Sequence, residues 1–212
     1  MKKKSDILMI ILILIFSCII FGFFYKSITK KNTSSIKNNP LIDSINFFNF
    51  QKAYLAELIN IGYWENSRSH NFNTIRFYEL NDLKKKSPKL LTNLFRKKKQ
   101  NIVIRYTEIG CNSCADSTFK YIKTYKKLDS LYNIFVFVDF NNYDAYLKWR
   151  KVSEIKYPVY WVKKGVLPFK IESENSSYIF TINSFLEVNN FFIPNSRFIE
   201  YIDYYFYSLE SK

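Results

Sequence analysis

Histidine and cysteine are nearly missing from this sequence. The 212-residue chain has one His, His70, and three Cys, at positions 18, 111 and 114. A four-cysteine zinc site lacks ligands and a Cys₂His₂ site lacks a second histidine, so no metal centre is expected. A Ser-His-Asp triad would rest on His70 alone. Glycine, at four, and proline, at five, are too scarce for a collagen-like or low-complexity chain. Acidic residues are few as well: 18 Asp and Glu face 32 Lys and Arg, for a net charge of +14. Such a balance invites nucleic acid, anionic lipid or acidic partners. The chain has no nucleic-acid reader motif, however. Its Lys, Asn, Ile, Phe and Tyr richness is what an A+T-rich coding sequence favours, so no nucleic-acid partner is expected. Hydrophobic residues are plentiful at 48%, with 21 Phe, 17 Tyr and 3 Trp, enough for a sizeable core.

The amino end predicts an anchor. Three lysines, Lys2, Lys3 and Lys4, precede an uncharged run that opens on Ile7 and closes on Tyr25. As a helix at ~1.5 Å per residue, residues 7–25 reach about 28 Å, against a bilayer core of ~30 Å. The exit, Phe23-Phe24-Tyr25-Lys26-Ser27, has no small-x-small cleavage site, which argues against a removed signal peptide. The alternative is a lipoprotein attached through Cys18, but residues 19–24 stay apolar after it. The expectation is a single pass through the inner cell membrane, amino terminus inside, with the remainder extracytoplasmic.

Residues 26–44 read as a polar tether of Lys, Asn, Ser and Thr. Apolar residues recurring from Ile45 to Trp64 predict an amphipathic helix, and a second amphipathic stretch runs from Leu80 to Phe95 with Pro88 inside it. Residues 45–100 are therefore expected to be a helical extension. From 101 to 212 the pattern changes. Strands are predicted at 102–106, 134–138, 158–162, 178–182 and 188–192, and helices at 113–131, 142–152 and 197–209. The order β-α-β-α, then strands, then a helix predicts an α/β sandwich with a central mixed sheet flanked by helices.

The sharpest chemical signal is Cys111-Asn112-Ser113-Cys114, placed between a strand and a helix. Two such cysteines can close a small disulfide ring. The first lies beside unpaired helix N–H groups, which favour its thiolate, and the second is one turn in and can attack a mixed disulfide. Half a zinc knuckle, a purely structural disulfide and two inert thiols are the other readings of this spacing.

With this placement the region from Asn101 to Leu209 resembles the thioredoxin-like superfamily, and within it the membrane-tethered TlpA/redoxin-type proteins. The resemblance implies a thioredoxin-like sandwich after an N-terminal transmembrane helix, and thiol–disulfide exchange at a redox-active Cys111–Cys114 disulfide with no other cofactor. Cys111 would be the nucleophile and Cys114 the resolving thiol. Partners would be protein disulfides or dithiols and a membrane redox partner. An aromatic residue usually precedes the first cysteine in these proteins; here Gly110 does. The cis-proline that faces the disulfide there has two counterparts here, Ser177 in Ser176-Ser177-Tyr178 or Pro158 in Tyr157-Pro158-Val159. The alternative function is a redox-inactive binding or scaffold module of the same fold at the membrane.

Other residues carry weaker readings. Glu108, three positions before Cys111, is either a proton relay for the resolving thiol or a solvated strand-end acid. Asp139 suits an N-cap at the end of its strand. Arg105, inside a strand, is expected to pair with a neighbouring acid, and His70 to be an ordinary surface residue. The lysine runs at 84–86 and 97–99 read as solvated faces.

Overall fold

A computed structural model describes residues 40–66, 70–80, 88–95 and 99–211. The predicted anchor at residues 7–25, Cys18, and the lysine run at 84–86 lie outside them. Among the described residues, no helix is long and apolar enough to cross a membrane. The chain divides into two compact units, Met1–Tyr54 and Leu55–Lys212. Within the first, the described part is the opening of helix α1, Pro40–Asn66, which exposes Ile42, Ile45 and Phe48.

The second unit is built on a sheet that has seven strands among the described residues. They are β1 Arg76–Glu79, β2 Lys89–Leu90, β3 Gln100–Tyr106, β4 Tyr132–Val138, β5 Val159–Trp161, β6 Tyr178–Ile182 and β7 Val188–Phe192, in the spatial order β2-β1-β5-β4-β3-β6-β7. β3, β4 and β5 are parallel, with Ile104 opposite Val136 and Val136 opposite Val159. β6 runs antiparallel to β3, β7 to β6, β1 to β5 and β2 to β1. The sheet is thus mixed and flanked by helices, as expected from residues 101–212.

The period of two along the strands sorts the core into two layers. Ile102, Ile104 and Tyr106 of β3, with Ile134, Val136 and Val138 of β4, face one side. There they meet helices α3 (Asn112–Ile122), α5 (Tyr143–Ser153) and α6 (Ile199–Glu210) through Phe119, Ile122, Tyr146, Ile202 and Phe206. Val103, Phe135, Phe137, Tyr178 and Phe180 face the other side, where Phe72, Leu91, Phe95 and Phe169 cover them. Burying an aliphatic or aromatic side chain is worth about 1.5–3 kcal/mol, so these two layers dominate stability.

Residues 45–100 depart from the helical extension expected of them. Helix α1 ends at Asn66, while β1, β2 and the one-turn helix α2, Thr92–Phe95, lengthen the main sheet and cover one face of it. Phe77 of β1 is buried against Tyr160, and Leu91 and Phe95 are fully buried. Around β2, at 88–91, tertiary burial overrides the helical spacing of the sequence. The predicted helix at 113–131 also divides, into α3 and α4 (Leu128–Leu131). Helix α6 holds the break: Asp203 accepts the Tyr125 hydroxyl, and Glu210 accepts the backbone N–H of Lys127.

Candidate active site

Strand β3 ends at Tyr106, and a tight turn carries the chain to α3. Gly110 donates its N–H to the Thr107 carbonyl at 3.1 Å. A Cβ on Gly110 would overlap Thr107 Oγ1 and come within 2.6 Å of the Asn175 carbonyl oxygen. The backbone approach of segment 175–177 leaves no room for the aromatic residue that the resemblance would place there. Thr107 binds the same segment, its hydroxyl donating to the Asn175 carbonyl and its N–H to Ser177 Oγ.

Cys111 is the N-cap of α3, and its sulfur accepts the N–H of Cys114 at 3.2 Å. The two cysteines are joined in a disulfide, with Cα atoms 5.2 Å apart. Their exposures differ sharply. Cys111 is on the surface, whereas Cys114 is 5% accessible. Ser196, in the turn between β7 and α6, meets both sides of the pair. Its N–H donates to Cys114 Sγ at 3.4 Å, and its hydroxyl accepts from Ser113, whose own oxygen lies 3.4 Å from Cys111 Sγ. Nothing but the turn residues around Pro194 marks Ser196 in the sequence.

The residues proposed from sequence are placed unequally. Ser177 is buried against the approach to the disulfide through Thr107. Pro158 is not. It lies beyond β4 from β3, and its carbonyl accepts from Val136, in the middle of β4. Glu108 is half-buried and ties two loops together. Its N–H donates to Asp139 Oδ1 at 2.7 Å, and its carboxylate accepts the Asn141 N–H at 3.0 Å. Asp139 is therefore not an N-cap; Asn142 caps α5 through the Asp144 N–H.

Arg105 does pair with acids, and on a scale its position hides. Its side chain is fully buried. Nε donates to Glu172 at 2.8 Å, one terminal nitrogen donates to the Val162 carbonyl, and the other reaches Asp139 and Glu172 at 3.4 Å. Glu172 also accepts the Gly165 N–H and the Tyr178 hydroxyl. Burial first, and then the Glu172 charge, push the Tyr178 phenol well above its ordinary range. His70 is no surface residue either. Its side chain is 3% exposed, binds the Glu65 carbonyl and packs edge-on against Phe169.

On the opposite face from Arg105, Tyr106 begins a cleft of about 590 Å³ between α3 and α5. Its hydroxyl donates at 2.8 Å to Asn112, the first of the two residues between the cysteines. Burial, then the carboxylates of Asp116, Asp139 and Glu108, push the Tyr106 phenol up to about 12. Burial also raises Asp116 above the usual carboxylate value. Among the described residues, no group of three or more His, Cys, Asp and Glu comes together in a way that could hold a metal ion.

No family model and no curated protein matches this chain. Solved structures do. One is a secreted Mycobacterium tuberculosis disulfide oxidoreductase homologous to E. coli DsbE, 9% identical, TM-score 0.44, covering 65% of this chain and 96% of its own. A thiol:disulfide interchange protein from Bacteroides sp. is 15% identical, TM-score 0.43, covering 61% of this chain and 84% of its own. The Xanthomonas campestris bacterioferritin comigratory protein, studied for alkyl peroxide reduction, is 8% identical, TM-score 0.44, covering 66% and 92%. At these identities and scores the likeness says nothing about which reaction this chain performs.

Proposed function

We propose that the chain is a thioredoxin-like thiol–disulfide oxidoreductase, exchanging electrons with protein disulfides and dithiols through Cys111 and Cys114. The observation that carries this reading is the asymmetry of the pair at a helix start. The Cys111 sulfur is exposed and accepts the Cys114 N–H in the first turn of α3, while the Cys114 side chain is buried one turn behind it. A donor aimed at a sulfur stabilises its thiolate, the reactive form. In the reducing direction, Cys111 thiolate attacks a substrate sulfur and expels one substrate thiolate. Deprotonated Cys114 then attacks Cys111 Sγ, which closes the ring and releases the second substrate thiol. Two electrons pass to the substrate, and the two protons given up by the cysteines end, by way of water, on the two substrate thiolates. Ser196 and Ser113 flank both sulfurs and suit the positioning of the mixed disulfide. Glu108 has its carboxylate on the Asn141 N–H, so it serves to hold the loop.

Residues 7–25 supply the membrane anchor in this reading, with the domain extracytoplasmic and a membrane redox partner resetting the pair. The test is a redox titration of the full-length chain with thiol alkylation and mass read-out. The pair should titrate reversibly. Cys114→Ser should accumulate mixed disulfides through Cys111, and Cys111→Ser should accumulate none. A pair that stays oxidised under strong reductant, or a Cys114→Ser variant that traps nothing, would overturn the proposal in favour of a binding module.

A further inference from the structure

We infer that the cleft between α3 and α5 is the docking site for the disulfide-bearing segment of a protein substrate, one that carries an apolar side chain followed by acidic residues. The inference rests on the redox reading above and supplies its substrate class. Four features of the cleft support it. It begins at Asn112, between the two cysteines, and Tyr106 hydrogen-bonds that residue at its inner end. Its floor is aromatic: Tyr106 and Phe119 pack with Trp149, ring centroids 4.8 and 6.1 Å from the indole. At its lip Val152 is 83% exposed, an apolar side chain with little of its surface covered. Finally, the indole N–H of Trp149, a residue that lines the cleft, is buried without a hydrogen-bond partner.

The charges give the occupant its sign. Lys120 stands on α3, Lys123 caps its C-terminus and Lys148 stands on α5, against Asp116 and Glu154. Asn112, Asp116, Lys120 and Lys123 follow one another at helical spacing along one face of α3 and its cap. From Asn112 to Lys123 that row spans roughly 16 Å at the helical rise. An extended peptide covers this in about five residues. A substrate cysteine at Cys111 therefore sets an apolar side chain over Trp149 and Val152, and carboxylates about four to six positions along, at the lysines. Clefts of a few hundred Å³ with an apolar floor and a few polar groups are the usual form of binding sites. The +14 charge of the whole chain steers acidic partners toward it.

The test uses the full-length chain and three synthetic peptides with Ser in place of Cys. They share one apolar residue and differ in carrying Asp, Asn or Lys at the distal positions. Calorimetry should show the Asp peptide binding about tenfold more tightly than the Lys peptide, with salt weakening the preference. The combined Lys120→Glu, Lys123→Glu and Lys148→Glu variant, whose exposed positions spare the fold, should invert the order. Trp149→Phe, which keeps a ring and loses the N–H, should weaken all three peptides alike. Three peptides that bind equally, or a preference that survives the charge reversal, would overturn the inference. Reduction of hydroxyethyl disulfide, which has no flanking residues to fill the cleft, reads the cysteine pair of the wild-type chain by itself. If the wild-type chain fails that reaction, the redox reading falls, while calorimetry still decides the cleft.

Discussion

Two neighbouring residues of β3 begin two opposite kinds of polar centre. Arg105 points into one face of the sheet, where Glu172, Asp139, Tyr178 and the Val162 carbonyl take up its donors. Tyr106 points into the other face and leads to Asn112, an exposed disulfide and a cleft with an unpartnered indole N–H. The first centre is closed: its charges are paired and dry, and it fixes segments far apart in the chain relative to the strand. The second is open, with donors near the sulfurs and one donor unused. Low dielectric strengthens both, but only the open one has groups left to interact with a partner. The closed centre holds the frame against which the open one is set, because Asp139 also takes the N–H of Glu108 on the way to Cys111.

The sharpest way to break this contrast is Arg105→Met. Two carboxylates would be left buried without their cation, a loss of about 3–5 kcal/mol, read as a fall in the denaturant midpoint. Adding Glu172→Gln and Asp139→Asn should recover part of it. If Arg105→Met alone is neutral, the closed centre is not what holds the frame.

Gly110→Ala comes next. The Cβ collides with Thr107 and the Asn175 backbone, so about 1–3 kcal/mol should be lost, with an altered rate of exchange at Cys111. Stability and rate both at wild-type values would show that the turn relaxes freely. The smallest effect tests the open side. Folding raises the Tyr106 phenol from 10.0 to about 12, so the folded state favours its neutral form. That contribution is complete below the unfolded value near pH 10 and is lost as pH rises through 12. Urea midpoints measured at about pH 9 and again near pH 11 should fall more for the wild type than for Tyr106→Phe. Equal falls would place the alkaline loss elsewhere.

The legible part of this molecule was what local pattern encodes. The β-branched and aromatic runs at 134–138, 178–182 and 188–192 are strands as read, and the Cys-x-x-Cys does stand between a strand and a helix. What could not be read depends on long-range contact. Arg105 meets acids 34 and 67 residues away, and no spacing rule links them. The strand β2 lies in a stretch whose apolar spacing suits a helix, and the burial of Leu91 beside it decides otherwise. His70 sits in a polar string, yet Glu65 and Phe169 enclose it. Ser196 and the Trp149 cleft exist only once α6 and α5 are packed on the sheet. The sequence favoured Ser177 over Pro158 because a hairpin and a closing helix follow it; the antiparallel pairing of β6 with β3 brings Ser177 to Thr107.

The outer strands of the sheet also bear on how the molecule meets other chains. β2 is two residues long, and its Lys89 is ion-paired to Glu79. β7 breaks register against β6, with Asn190 at a φ of 51°, and the Asn190 carbonyl already accepts the Tyr205 hydroxyl. Short length, charge and a bulge make poor templates for adding a foreign strand. Backbone zippering to a second polypeptide is thereby disfavoured at both rims, which protects an aromatic-rich chain from fibril-like growth.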